Sequence, residues 1–402
     1  MEMVSNILKK QDFILLSLLK ISLLLVFLYS MFAWFLWEPG PATIGSISIV
    51  YCVLYLITRP SFFPLKKGSL MVILLLILVR FYCVRGTNIN GYIEELLTTL
   101  PIVFVILLKD TLKIDLLRFI TSAMALILFV SLCAWILFLA GVQFPYSVVN
   151  FNDGQYWYNN YYLFLYDLNP YFTIPRFSAI FLEPGHLGMI TSLLLYANRF
   201  EIRRKEVLVL LVSTIFTFSL AAYILLIISV TVFLLLRSKK PAFYMTLWIV
   251  LLITGYYFFA NHNNGNNIVN NLIIERLQFD NRNLSGDNRF SESMDSYFVD
   301  FQKGGNLYTG IGLIKYESLN LGANAGYKVF LIRNGVIGTS LLFLFYLSLV
   351  LYNKSKEAAF LLLIYILSFA QRAYALWDCE LLIFITAMAL FKNQRKQEII
   401  WP

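Results

Sequence analysis

The sequence is poor in charge. Asp, Glu, Lys and Arg make up 14% of its 402 residues, against about 25% in a typical soluble domain. It holds only four cysteines, Cys52, Cys83, Cys133 and Cys379, scattered mostly through apolar runs with no CxxC and no metal-ligand spacing. That excludes a disulfide framework and a cysteine metal cluster, and leaves them as packing residues. What is abundant is apolar: 59% of residues are aliphatic, aromatic, Met or Cys, and the mean hydropathy is +0.72. A chain of this kind is neither disordered nor fibrous, and it cannot hide so much apolar surface in a water-soluble core. The remaining class is an all-α, polytopic integral membrane protein, a single membrane domain over residues 1–402. The net charge of +9 is therefore tested first as topology, not as a nucleic-acid signal.

Apolar runs near 13–37, 42–58, 69–84, 94–108, 117–141, 178–197, 206–236, 242–260, 326–352, 358–370 and 380–391 are candidate spans. The first is too long for a signal-peptide core and reads as a retained span. The run 206–236 is too long for one crossing and has basic residues at both ends, Arg203, Arg204 and Lys205 before it and Arg237, Lys239 and Lys240 after it. Like-charged flanks require an even number of crossings, so the run divides near Ser219. The expected count is about twelve spans with both termini cytoplasmic. Basic residues then mark every inner segment, from Lys9 and Lys10 through Arg59, Lys66 and Lys67 to Lys392, Arg395 and Lys396. The two long loops, about 142–177 and 261–325, both fall outside. The first is rich in aromatics, as in Tyr156-Trp157-Tyr158. These could stack on sugar rings or form an interfacial belt.

Ionisable residues near spans are the informative ones, because a desolvated charge needs a partner or a task. Three segments carry them. In PRFSAIFLEPGHLG (175–188), Arg176, Glu183 and His186 are spaced seven and three apart. On a helix opened by Pro175 they share nearly one face, with Pro184 bending the helix after Glu183. Arg suits phosphate oxygens, and a poorly hydrated Glu suits a general base. The alternatives are an Arg–Glu pair that only joins helices, and a packing histidine. In SGDNRFSES (285–293), Arg289 precedes an amphipathic stretch with Phe290, Met294, Tyr297, Phe298 and Phe301 at helical spacing. This predicts a short loop helix lying apolar side down on the membrane. In NAGYKVFLIRNGVIG (324–338), Tyr327 and Lys328 sit at the outer mouth of a span, with Arg333 about 10 Å deeper. Gly335 and Gly338 would allow close helix approach. Arg80, Arg85 and Arg372 are weaker candidates, and Lys20 is placed to snorkel.

These segments, in this order, together with the short-span pair STIFTFSLAAYI, resemble the bacterial O-antigen polymerases (Wzy type) of the O-antigen ligase-like superfamily of membrane glycosyltransferases. The resemblance implies a GT-C-like polytopic architecture in the bacterial inner membrane, with the active site facing the periplasm. It implies joining of undecaprenyl-pyrophosphate-linked oligosaccharide repeat units, with release of undecaprenyl pyrophosphate. By position, Arg176 and Arg289 would grip the pyrophosphate, and Glu183 would orient or deprotonate the acceptor hydroxyl. Arg333 would be a third anion handle, and His186, Asn324 and Tyr327 further substrate contacts. The partners implied are the lipid-linked oligosaccharides, membrane lipid and a chain-length regulator protein, with no nucleic acid. No metal or other cofactor is expected. Ligase members carry a histidine followed by Asn, Ser or Gln where this chain reads Asn324-Ala325. That departure disfavours an O-antigen ligase, which stays as an alternative beside a lipid-linked oligosaccharide flippase.

Overall fold

In hydrocarbon a backbone must satisfy its own polar groups, so long apolar runs fold as helices. Local residues then set where each helix begins. Pro41, Pro184 and Pro241 each open one, a position where the missing N–H is no loss. The Asn88 side chain caps another by accepting from the Gly91 N–H at 3.0 Å. The computed structural model describes residues 2–151, 156–168, 176–237, 240–267, 269–275, 279–280, 283–284, 292–321, 326–372 and 374–400.

The first five helices are α1 (Glu2–Ser30), α2 (Pro41–Thr58), α3 (Lys67–Cys83), α4 (Ile89–Leu107) and α5 (Asp110–Leu139). Strands β1 (Ser147–Phe151), β2 (Tyr156–Asn160) and β3 (Leu165–Asp167) follow, then α6 (Pro184–Ala197), α7 (Lys205–Phe216), α8 (Leu220–Arg237) and α9 (Pro241–Asn261). Next come β4 (Phe279–Asp280), β5 (Asn283–Leu284), α10 (Glu292–Lys303) and α11 (Leu313–Ser318). The chain closes with α12 (Gly326–Asn353), α13 (Lys356–Gln371) and α14 (Asp378–Ile400).

The protein is 77% helical. Among the described residues six helices are long and apolar enough to cross a membrane: Asp12–Ser30, Pro41–Thr58, Ile89–Leu107, Asp110–Leu139, Pro241–Gly265 and Gly326–Asn353. The run 206–236 divides into α7 and α8 around a turn that includes Ser219. The all-helical expectation needs one correction. The first long loop folds as an antiparallel sheet in the order β1-β2-β3, because its β-branched and aromatic residues suit a pleated surface.

The chain forms two units. The first comprises Met1–Ile120, Glu292–Leu362 and Arg372–Pro402, and the second Thr121–Ser291 and Leu363–Gln371. In the second unit α6 packs closely on α8, where a Cβ on Gly188 would overlap that of Ala222. Hydroxyls stitch the same region: Thr214 Oγ1 donates to Thr191 Oγ1 at 2.7 Å, and Asn198 Nδ2 to Thr121 Oγ1 at 2.9 Å. Small residues and interhelical hydrogen bonds hold helices together where no hydrophobic effect separates them from lipid.

In the first unit α10 is the amphipathic loop helix, but protein covers its apolar side. Met294 and Phe301 are buried against Val329 and Ile332 of α12, and Lys328 Nζ bonds Asp295 Oδ1 at 2.6 Å. The expected seat on the lipid surface is thus corrected to a seat on α12. Lys20 likewise pairs with Asp115 instead of only snorkelling.

Candidate functional site

In the second unit, residues 176–183 are not helical, so Arg176, Glu183 and His186 do not share a helix face. The segment instead runs past the end of α7 and along β3. Phe177 N–H donates to the Phe216 carbonyl at 3.1 Å, and Leu165 N–H to the Ala179 carbonyl at 2.8 Å. Pro184 opens α6 and does not bend it. Its ring disfavours helical geometry in the residue before it, and Glu183 accordingly is extended at φ −135° and ψ 141°. The Glu183 carbonyl takes the N–H groups of His186 and Leu187.

Two of the three side chains still meet. His186 Nε2 lies 3.8 Å from Glu183 Oε2, with the imidazole fully buried and the carboxylate partly open. A carboxylate at a helix start is favoured as the anion by the helix dipole. Arg176 is used differently. Its Nε donates to the Thr217 carbonyl at 3.2 Å, in the turn between α7 and α8, and Tyr223 is within its electrostatic reach. Arg289 and Asn324 lie outside the described residues.

In the first unit, the NGVIG segment breaks α12. Gly335 sits at φ +65° and ψ −172°, a conformation open to glycine and closed to side chains. Space demands glycine as well: a Cβ there would overlap the Tyr308 carbonyl and Gly310. The chain 308–312 straps the break. Ile311 N–H donates to the Ile332 carbonyl at 2.9 Å, Gly312 N–H to that of Arg333 at 3.0 Å, and Ile337 N–H to that of Tyr308 at 3.0 Å. Gly335 therefore permits a break, where close helix approach was expected. Gly338 does serve close approach, because a Cβ there would press on the Tyr82 ring.

Two arginines of this unit are occupied by structure. Arg85 donates to the carbonyls of Tyr82 and Arg333, each at 2.9 Å, to the Thr309 carbonyl, and to Asn334 Oδ1 at 3.3 Å. Its guanidinium also stacks 4.0 Å over the Tyr82 ring. Arg80 is buried between Glu95, at 3.1 Å, and Asp378, and it also donates to the Leu376 carbonyl at 2.9 Å.

Arg333 is the exception. Its carbonyl is held from two sides, and among the described residues its buried Nε, like that of Arg80, has no hydrogen-bond partner. Among the described residues no carboxylate comes within ion-pair distance of its guanidinium. Tyr316 and Glu317 act on it electrostatically from α11. Burial pushes the Tyr316 hydroxyl above its ordinary pKa, while Arg333 pulls it down. Tyr327 stands exposed at the start of α12, its ring edge-on to Phe298 at 6.4 Å.

The sequence reading missed Arg85 as the staple of a helix break. The available signal was the glycine pair Gly310 and Gly312, at positive φ in the strap. It also missed Tyr316 and Glu317 as neighbours of Arg333. Among the described residues no three His, Cys, Asp or Glu side chains gather as a metal site requires. No protein-family model matches the chain, and no curated protein matches it.

Proposed function

We propose that this protein is a membrane glycosyltransferase that polymerises a surface polysaccharide of the O-antigen kind. In this reading it crosses the bacterial inner membrane about twelve times, with both termini in the cytoplasm and its site facing the periplasm. The donor is an oligosaccharide on undecaprenyl pyrophosphate, and the acceptor is a sugar hydroxyl of a second lipid-linked repeat unit. The acceptor oxygen forms a bond to the anomeric carbon, the bond from that carbon to pyrophosphate oxygen breaks, and the electron pair leaves with the pyrophosphate. The hydroxyl proton passes to a base, for which Glu183 beside His186 is the candidate.

The observation that carries the reading is Arg333. A buried guanidinium with no carboxylate in ion-pair distance among the described residues is costly to hold in an apolar chain, and an anionic ligand would offset that cost. Pyrophosphate oxygens match its planar fork. Fixed cations that meet charge as it develops on the leaving group lower the barrier. The motif resemblance adds Arg176 and Arg289 as further pyrophosphate contacts, and a chain-length regulator as a partner.

The test is surface glycan length in cells carrying Arg333→Ala or Arg176→Ala. With the variants shown to be inserted at normal levels, single repeat units should replace long chains. Normal long chains from such cells would overturn the reading. The broken α12 favours one second reading, since interrupted helices hold substrate in many transporters. A lipid-linked oligosaccharide flippase would strand repeat units on the inner leaflet when Arg333 is replaced, whereas a polymerase leaves them outside.

A further inference from the structure

The β1-β2-β3 sheet in the second unit has two unlike faces. Tyr158, Asn160 and Leu165 point to one side and are almost wholly buried, at 2%, 1% and 2% exposure. The register places Asn150 opposite Trp157, Val148 opposite Asn159, and Asn159 opposite Tyr166. Alternation along the strands puts these five residues together on the other face. That face is open at the Trp157 end, where Val148 is 55% and Trp157 49% exposed and Asn150 is exposed beside them, whereas Asn159 and Tyr166 are half-buried.

Its chemistry is specific. The face carries an indole, two amides and a phenol, and no formal charge. Asp167, the sheet's charged residue among those described, pairs with Tyr158 and so lies on the buried side. Absence of charge disfavours a phosphate or nucleotide ligand. A lipid-facing belt is disfavoured too, because acyl chains against Trp157 would strip water from the amide of Asn150 directly across and supply no hydrogen bond in return. A pyranose ring fits both halves. Its C–H face packs on an indole, and its hydroxyls, each donor and acceptor, meet amides that also do both.

The face is also held in shape. Phe138 of α5 packs against Tyr161 at 5.0 Å and Tyr166 at 5.7 Å, and the Asn159 side chain hydrogen-bonds the Tyr161 hydroxyl. A platform already ordered loses little freedom when a ligand settles on it.

We propose that this face is a carbohydrate-binding platform, with Trp157 as the stacking surface and Asn150 and Asn159 as the hydroxyl contacts. The inference rests on the polysaccharide reading and deepens it: the platform holds neutral sugars of the growing chain, at residues separate from those assigned to pyrophosphate. Holding the chain between additions keeps it on the enzyme, so the platform sets product length.

The experiment uses the full-length protein in lipid nanodiscs and, as probe, surface polysaccharide cut from its lipid and purified from the producing cells. Trp157→Ala should weaken binding of this probe about ten-fold or more, the scale at which a central aromatic contact acts. Trp157→Phe should keep most of it, and Asn150→Ala should fall between. In cells, Trp157→Ala should shorten the chains without abolishing linkage of repeat units. Wild-type binding by both Trp157→Ala and Asn150→Ala would overturn the proposal. So would quenching by brominated lipid, in unliganded discs, of the emission that wild type shows beyond Trp157→Phe, which would place the ring in the bilayer. If Trp157→Ala does not accumulate, Asn150→Ala alone decides, because its side chain is exposed. Failure of the enzyme reading looks different: Arg176→Ala and Arg333→Ala would leave chain length intact while probe binding still depended on Trp157.

Discussion

The turn between α7 and α8 and the break in α12 pose the same problem, polar backbone exposed beside an apolar helix, and meet it with arginine in different ways. At the first, Arg176 itself donates to a carbonyl, that of Thr217. At the second, Arg85 reaches across to the carbonyls of Thr309 and Arg333, while the guanidinium of Arg333 has no ion-pair partner among the described residues. An arginine near a membrane span is therefore weak evidence of a site until its donors are counted. Arg80, Arg85 and Arg333 look alike in sequence, yet among the described residues two hold structural partners and the third holds none.

Three substitutions probe that contrast, read as thermal unfolding of the purified protein in detergent. Gly335→Ala should have the largest effect, about 3 kcal/mol or more, since it adds positive-φ strain to overlap with the strap. A melting curve close to wild type would mean that α12 is not broken there. Arg85→Ala should cost about 2–3 kcal/mol by removing charged hydrogen bonds from several carbonyls. A loss under half that would make the staple dispensable. Arg333→Ala should change stability by less than about 1 kcal/mol, because removing an unpaired buried charge relieves as much as it loses. A large destabilisation would show that Arg333 is structural after all and would remove the contrast.

Local patterns were readable in the sequence, and distant pairings were not. The basic flanks of 206–236 are a local property, and the turn they led to near Ser219 lies between α7 and α8. The helical spacing of Met294, Tyr297, Phe298 and Phe301 located α10, but spacing does not say what covers an apolar stripe, and α12 covers it here. Pro184 was expected to bend a helix and instead opens one, because residues 176–183 find partners elsewhere, on α7 and β3. For the candidate site, the segments holding Arg176, Glu183, His186 and Arg333 were visible from rare charge and motif order. The roles of Arg80 and Arg85 were not, since Asp378 and Thr309 lie hundreds of residues away.

That separation has a consequence for how the protein is made. Arg85 is synthesised 224 residues before Thr309 and 248 before Arg333. Arg80 precedes Asp378 by 298, and Ser30 waits 347 residues for Trp377. Throughout synthesis of that intervening chain, these early donors and acceptors must be served by water, headgroups or insertion machinery. The first unit is thus completed from its C-terminal third, and a ribosome that stops before α12 releases helices in which Arg80 has met Glu95 but not Asp378, and Arg85 has met neither the Thr309 nor the Arg333 carbonyl. Quality control in the membrane would see such a chain as arginines short of acceptors.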